Sequence, residues 1–177
     1  MSHPLDFIPA SSRKKAFLPL FALTLILVAV FRLLDAPLQN PVSPMGIVSF
    51  ELAGTPEKAD AIIQAWDARA KLFAAFSLGF DYLFMFAYGL AISLGVLLAA
   101  DKQGGRFAAF ASYVGWGVLL ASLLDAIENF ALWRLLSGTA TEIFPRIAAF
   151  SATVKFFLLA LGLGFFLVGW LWPKKNE

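Results

Sequence analysis

The sequence predicts an all-α membrane protein: a bundle of four transmembrane helices, with an extracytoplasmic amphipathic helix between spans one and two. Three observations predict it. Hydrophobic residues make up 60% of the 177 residues and charged residues only 15%, whereas a water-facing domain carries about 25% charge. Four apolar runs reach the roughly 20 residues that a hydrocarbon core about 30 Å thick asks of a helix. The stretches between the runs hold most of the charge. The whole chain, 1–177, reads as one integral membrane domain.

The first span covers about 15–35, behind Arg13, Lys14 and Lys15. It is too long for a signal peptide and no small-residue cleavage site follows it, so it reads as a retained span. An external loop, 36–71, comes next. Pro37, Pro41 and Pro44 open it as an extended segment, and the short apolar stretch Gly46 to Leu52 is placed to dip into the interface. Thr55-Pro56-Glu57 is a helix start: a Thr cap, Pro at the first helical position and an acid in the first turn. Ile62, Ile63, Trp66, Ala70 and Phe73 then recur at helical spacing. This predicts an amphipathic helix from Pro56 to Lys71, lying on the outer surface and running into span two.

Span two covers 72–100 and span three 107–126. The polar turn Asp101-Lys102-Gln103-Gly104-Gly105-Arg106 between them predicts an antiparallel hairpin. Span four, 147–172, is closed by Pro173, Lys174 and Lys175. Cations crowd one side of these spans: Arg13, Lys14, Lys15, Lys102, Arg106, Lys174 and Lys175. On the other side they are spread out among acids. The positive-inside rule therefore places both termini in the cytoplasm, most simply at a bacterial inner membrane. Trp170 and Trp172 fit the cytoplasmic aromatic belt.

Several chemistries are excluded. There is no cysteine, hence no disulfide, thiolate metal site or Cys nucleophile. The one histidine is His3, which rules out a bis-histidine haem, a His-rich centre and a Ser-His-Asp triad. His3 is expected to be a solvated tail residue. A net charge of +2 is too small to suggest nucleic-acid binding. Gly162-Leu163-Gly164 and Gly115-Trp116-Gly117 lie in mid-span and lack the pattern of a phosphate loop. No cofactor or metal is expected, and no catalytic residue is assigned.

Charges inside spans are costly and rare. Counting roughly 20 residues from the cytoplasmic end of each span reaches Asp35, Asp81, Asp125 and Lys155, with Arg32 one turn below Asp35. All stand near one level, at the outer edge of the hydrocarbon core. Asp125, Glu128 and Asn129 share one helical face by their i, i+3, i+4 spacing, with Ser122 a turn below. Ser77, Asp81 and Tyr88 share another face, with Tyr82 adjacent. Ser151 and Lys155 align on a third, continued at heptad spacing by Gly162 and Gly169. Turned inward, these faces build a polar site of Asp81, Tyr82, Tyr88, Ser122, Asp125, Glu128, Asn129 and Lys155, with Arg32 as a second cation. Small residues at Ala87, Ala91 and Gly95, at Ala111 and Gly115, and at Ala160 and Gly164 suit close helix packing.

Three readings of that site stand side by side. It binds a lipid-like or cationic amphiphile or a membrane-protein partner, membrane lipids being its surroundings. It is an acid–base enzyme acting on a lipid or isoprenoid, with two carboxylates of split pKa. Or the chain is an accessory subunit of a larger membrane complex. A purely structural ion network, Lys155 with Asp125 or Glu128 and Arg134 with Glu128, is the alternative to all three.

The segments Gly46-Ile-Val-Ser-Phe-Glu-Leu-Ala-Gly-Thr55, Phe76-Ser-Leu-Gly-Phe-Asp-Tyr82 and Leu124-Asp-Ala-Ile-Glu-Asn129 resemble a group of small uncharacterised bacterial four-span membrane proteins. The resemblance implies a fold of that plan and lends no activity. The plan alone is also loosely similar to the emopamil-binding-protein and sigma-2-receptor families. That likeness implies a membrane cavity for sterol-like amphiphiles. The intramembrane histidine of the isomerase members has no counterpart here.

Overall fold

A computed structural model describes residues 2–139 and 141–173. Among these the protein is all helical, without strands. In chain order the helices are α1 (Ala10–Asp35), α2 (Ile47–Glu51), α3 (Pro56–Ala65), α4 (Ala68–Gln103), α5 (Gly105–Leu136) and α6 (Ile143–Leu171); a 3₁₀ turn, Ala36–Leu38, follows α1. α1, α4, α5 and α6 are long and apolar enough to cross a membrane, and the chain is an integral membrane protein. Lys174 and Lys175, which enter the orientation argument, lie outside the described residues.

The helices start earlier or end later than the spans. α4 begins at Ala68 and α5 runs on to Leu136. Charged residues mark the edge of an apolar run, but they do not end a helix; a backbone that stops hydrogen bonding does. At α5 that stop is Gly138, at φ +84. Its N–H donates to Leu135 O, and the Thr139 N–H donates to Arg134 O, a Schellman closure.

The helix predicted from Pro56 to Lys71 is two helices. Thr55 caps α3 as expected, accepting from the Lys58 N–H at 3.4 Å. Trp66 is extended, at φ −88 and ψ 127, and breaks the run. Asp67 then caps α4, its carboxylate accepting from the Ala70 N–H at 2.7 Å. The apolar stretch Gly46 to Leu52 is helical. It holds the short helix α2, whose Phe50 is 1% exposed.

The chain packs as two compact units. One comprises residues 26–85 and 123–154. Its core gathers Leu38, Phe50 of α2, Ile62 of α3, Trp66, Ala74 and Leu78 of α4, Leu132 of α5 and Ala148 of α6. The α2–α3 segment is thus packed onto the ends of three long helices, and Ile62 and Trp66 face protein rather than lipid. The Trp66 indole N–H donates to Leu38 O at 2.9 Å and to Ser43 Oγ at 3.1 Å.

The other unit comprises residues 1–25, 86–122 and 155–177. Phe17 of α1 packs with Leu94 and Leu97 of α4, and Val96 with Ala111 of α5. Glycines allow the closest approaches: Gly162 of α6 lies against Val118 and Ile92, and Gly169 against Ala99 and Phe107. The heptad face through Lys155, Gly162 and Gly169 is thus buried within this unit. Gly164, by contrast, faces open space, so the Ala160–Gly164 pair seats no helix of this chain. The α4–α5 turn is the predicted hairpin, made at Gly104 (φ +66) and Gly105 (φ +53). Next to it, Lys102 Nζ donates to Trp170 O at 2.5 Å, and Gln103 Nε2 donates to Gly169 O at 2.9 Å. These bonds satisfy carbonyls that the end of α6 would otherwise leave unpaired.

Candidate functional site

Helical spacing puts Asp125, Glu128 and Asn129 on one face of α5, and that face is interior. They are 2%, 0% and 2% exposed. On the other faces of the same turns, Leu123, Ile127, Phe130 and Trp133 are exposed, as suits side chains in lipid. α4 supplies Asp81, half-buried, whose Oδ2 accepts from Asn129 Nδ2 at 2.6 Å. This is a short amide–carboxylate bond between two helices. The amide thereby orients one carboxylate from a position next to another. Tyr82, although 40% exposed, donates its hydroxyl to Ala126 O at 3.3 Å. Ser77, a turn from Asp81 on α4, is buried. These residues all belong to the unit that carries α2 and α3.

The other predicted site residues fall in the second unit. Tyr88 is 3% exposed and Lys155 5%. Lys155 Nζ lies 4.8 Å from the centre of the Phe156 ring, a cation–π contact. Ser122 is half-buried. Its hydroxyl donates to Val118 O at 3.5 Å and sits against Gly89, where no side chain would fit.

Two residues aligned with this level do not join it. Arg32 is exposed, so it is not a second interior cation. A long flexible stem at a span end turns outward to water more readily than it is buried. Asp35 closes the external loop instead: its Oδ1 accepts from the Ile47 N–H at 2.7 Å, and its Oδ2 from Gln39 Nε2 at 2.9 Å. Arg134, proposed to pair with Glu128, donates from Nε to Thr139 Oγ1 at 3.3 Å and lies over the Phe144 ring.

One carboxylate escaped sequence reasoning. Glu51 of α2 is buried, at 9% exposure. Its signal was a single acid inside the apolar stretch Gly46 to Leu52. His3 is not a solvated tail residue: it is 4% exposed, because the N-terminal segment folds back against its own unit.

No family model, curated protein or solved structure matches this chain. Among the described residues, no three of His, Cys, Asp and Glu are grouped as a metal ion would need. What the α4–α5 arrangement offers is acceptors: carboxylate oxygens and an amide, enclosed where water is scarce. Charge-assisted hydrogen bonds to such carboxylates are stronger than neutral ones.

Proposed function

We propose that this chain is a membrane binding protein whose acidic interior takes the cationic head of an amphiphile. One observation carries the reading. In the unit of residues 26–85 and 123–154, every buried ionisable side chain among the described residues is a carboxylate: Glu51, Asp125 and Glu128. The cations of that unit, Arg32, Lys58, Lys71, Arg69, Arg134 and Arg146, are exposed or half-buried. An ammonium head on an apolar tail matches an acidic interior in charge, donates charge-assisted hydrogen bonds to carboxylates where it bears N–H groups, and leaves its tail in lipid.

The depth of the layer supports the same reading. Counted at roughly 20 residues from the cytoplasmic end of span three, Asp125 stands at the outer edge of the hydrocarbon core and Glu128 just beyond it, where the head of an amphiphile in one leaflet reaches. The cations Arg13, Lys14, Lys15, Lys102 and Arg106 favour the cytoplasm for the opposite end. The site then opens to the external leaflet, with α2 and α3 beside it. The motif likeness to small bacterial four-span proteins supports an inner-membrane setting.

The test is thermal unfolding in dodecyl maltoside with added dodecyltrimethylammonium, against dodecanol, which has the same tail and no charge. The ammonium is expected to stabilise the protein, by about 2.7 kcal/mol at a hundred times its dissociation constant. Dodecanol is expected not to. The double variant Asp125→Asn, Glu128→Gln should lose the effect. If the wild type gains nothing from the ammonium and the double variant melts higher than the wild type, the layer is a structural network and the proposal fails.

A further inference from the structure

The N-terminal segment is built as a seated plug. Ser2 O accepts from the Trp116 indole N–H at 3.2 Å, and Leu5, 5% exposed, packs with Phe17, Leu94 and Leu97. A reciprocal turn closes between them: the Asp6 N–H donates to His3 O at 3.1 Å, and the His3 N–H to Asp6 Oδ2 at 2.9 Å. Arg13 clamps the segment from α1. It donates from Nε to Ile8 O at 3.0 Å and from Nη1 to Asp101, at the end of α4, at 2.5 Å.

His3 is the centre of this arrangement. Its ring occupies the space that a side chain at Gly115 of α5 would take. Nδ1 accepts from the Leu5 N–H at 3.2 Å, so the neutral ring carries its proton on Nε2. That nitrogen is enclosed and has no hydrogen-bond partner among the described residues. A second proton has to go to Nδ1. There it would face the Leu5 N–H, donor against donor, and it would leave an imidazolium in an apolar seat.

We propose that residues 2–9 form a latch, docked while His3 is neutral and released when the imidazole takes its second proton. The groups that act on His3 are Asp6 on its own segment, Arg13 on α1 and Asp101 on α4; α5 contributes the uncharged Gly115 and Trp116. Burial is the strongest influence, and it takes the His3 pKa from 6.5 down to about 4; Asp6 and Asp101 oppose it and Arg13 reinforces it. The released segment therefore binds the proton more tightly than the docked one. Docking is at full strength above pH 6.5 and weakens as the pH falls toward 4, with release favoured roughly 20-fold at pH 5 relative to neutral pH. Release uncovers the Leu94–Leu97 face of α4 that Leu5 covers.

The absence of native cysteine makes the test direct. Ser2→Cys, spin-labelled at neutral pH, reports docking as an immobile nitroxide in detergent-solubilised full-length protein. Circular dichroism confirms at each pH that the helices persist. The label is expected to become mobile as the pH falls below 6.5, and to stay immobile in the same protein carrying His3→Gln. Gly115→Ala, a change that favours helix, should free the label even at pH 7.5 by filling the His3 seat. An immobile label at pH 4.5 in a folded wild type overturns the latch. So does the same transition in His3→Gln, which would assign it to Asp6 or Asp101, and so does an immobile label at pH 7.5 in Gly115→Ala.

Discussion

Gly46 shows what a single residue contributes here. Its backbone sits at φ +58 and ψ −126, a region open to glycine and strained for other residues. A Cβ at this position would collide with the Asp35 carboxylate, the group that accepts from the Ile47 N–H and so completes the start of α2. Gly46→Ala is therefore expected to cost roughly 1–3 kcal/mol through backbone strain alone. It should lower the melting temperature in detergent more than Gly164→Ala, where nothing stands in the way of a methyl group. Equal effects of the two changes would disprove the close approach. Asn129 works on the same scale. It holds the Asp81 carboxylate at 2.6 Å and so ties α4 to α5.

At the scale of the element, the break between α3 and α4 matters most. Periodicity in Ile62, Ile63, Trp66, Ala70 and Phe73 describes one continuous stripe, and one helix was the natural expectation. The indole of Trp66 is what interrupts it. By leaving helical geometry, Trp66 reaches Leu38 O and Ser43 Oγ, 28 and 23 residues earlier in the chain, and stacks edge-on against Phe50. Trp66→Phe retains most of the apolar ring but removes the donor. Losing that buried bond should cost about 1–3 kcal/mol. Hydrogen exchange should then quicken across 36–65 while 86–122 is unchanged; uniform quickening would mean that the indole is not what fastens this segment.

At the scale of the molecule, α4 is the most buried of the four long helices. Of its most apolar window 67% is buried, against 11%, 28% and 17% for α1, α5 and α6. The other three present large exposed side chains outward, among them Ile26, Phe130 and Phe157, and lipid is the solvent for which such a surface is suited. Orientation is tested by labelling intact cells with a membrane-impermeant thiol reagent. Ser137→Cys, on the α5–α6 connection, should react from outside, and Ser2→Cys only after permeabilisation. The reverse pattern would turn the proposed site toward the cytoplasm and contradict the orientation drawn from the cations.

The sequence by itself determined the number of spans, the α4–α5 hairpin and which residues share the polar face of α5. Each follows from a local rule: length against a hydrocarbon core, paired glycines between charges, and i, i+3, i+4 spacing. Only the tertiary structure decided which charged residues go inside. Arg32, Asp35 and Asp81 stand at similar predicted depths, yet one is exposed, one caps α2 and one meets Asn129. The burial of His3 and Glu51 and the break at Trp66 were decided the same way. A side chain's fate in such cases depends on partners far along the chain, and spacing within one helix carries no record of them.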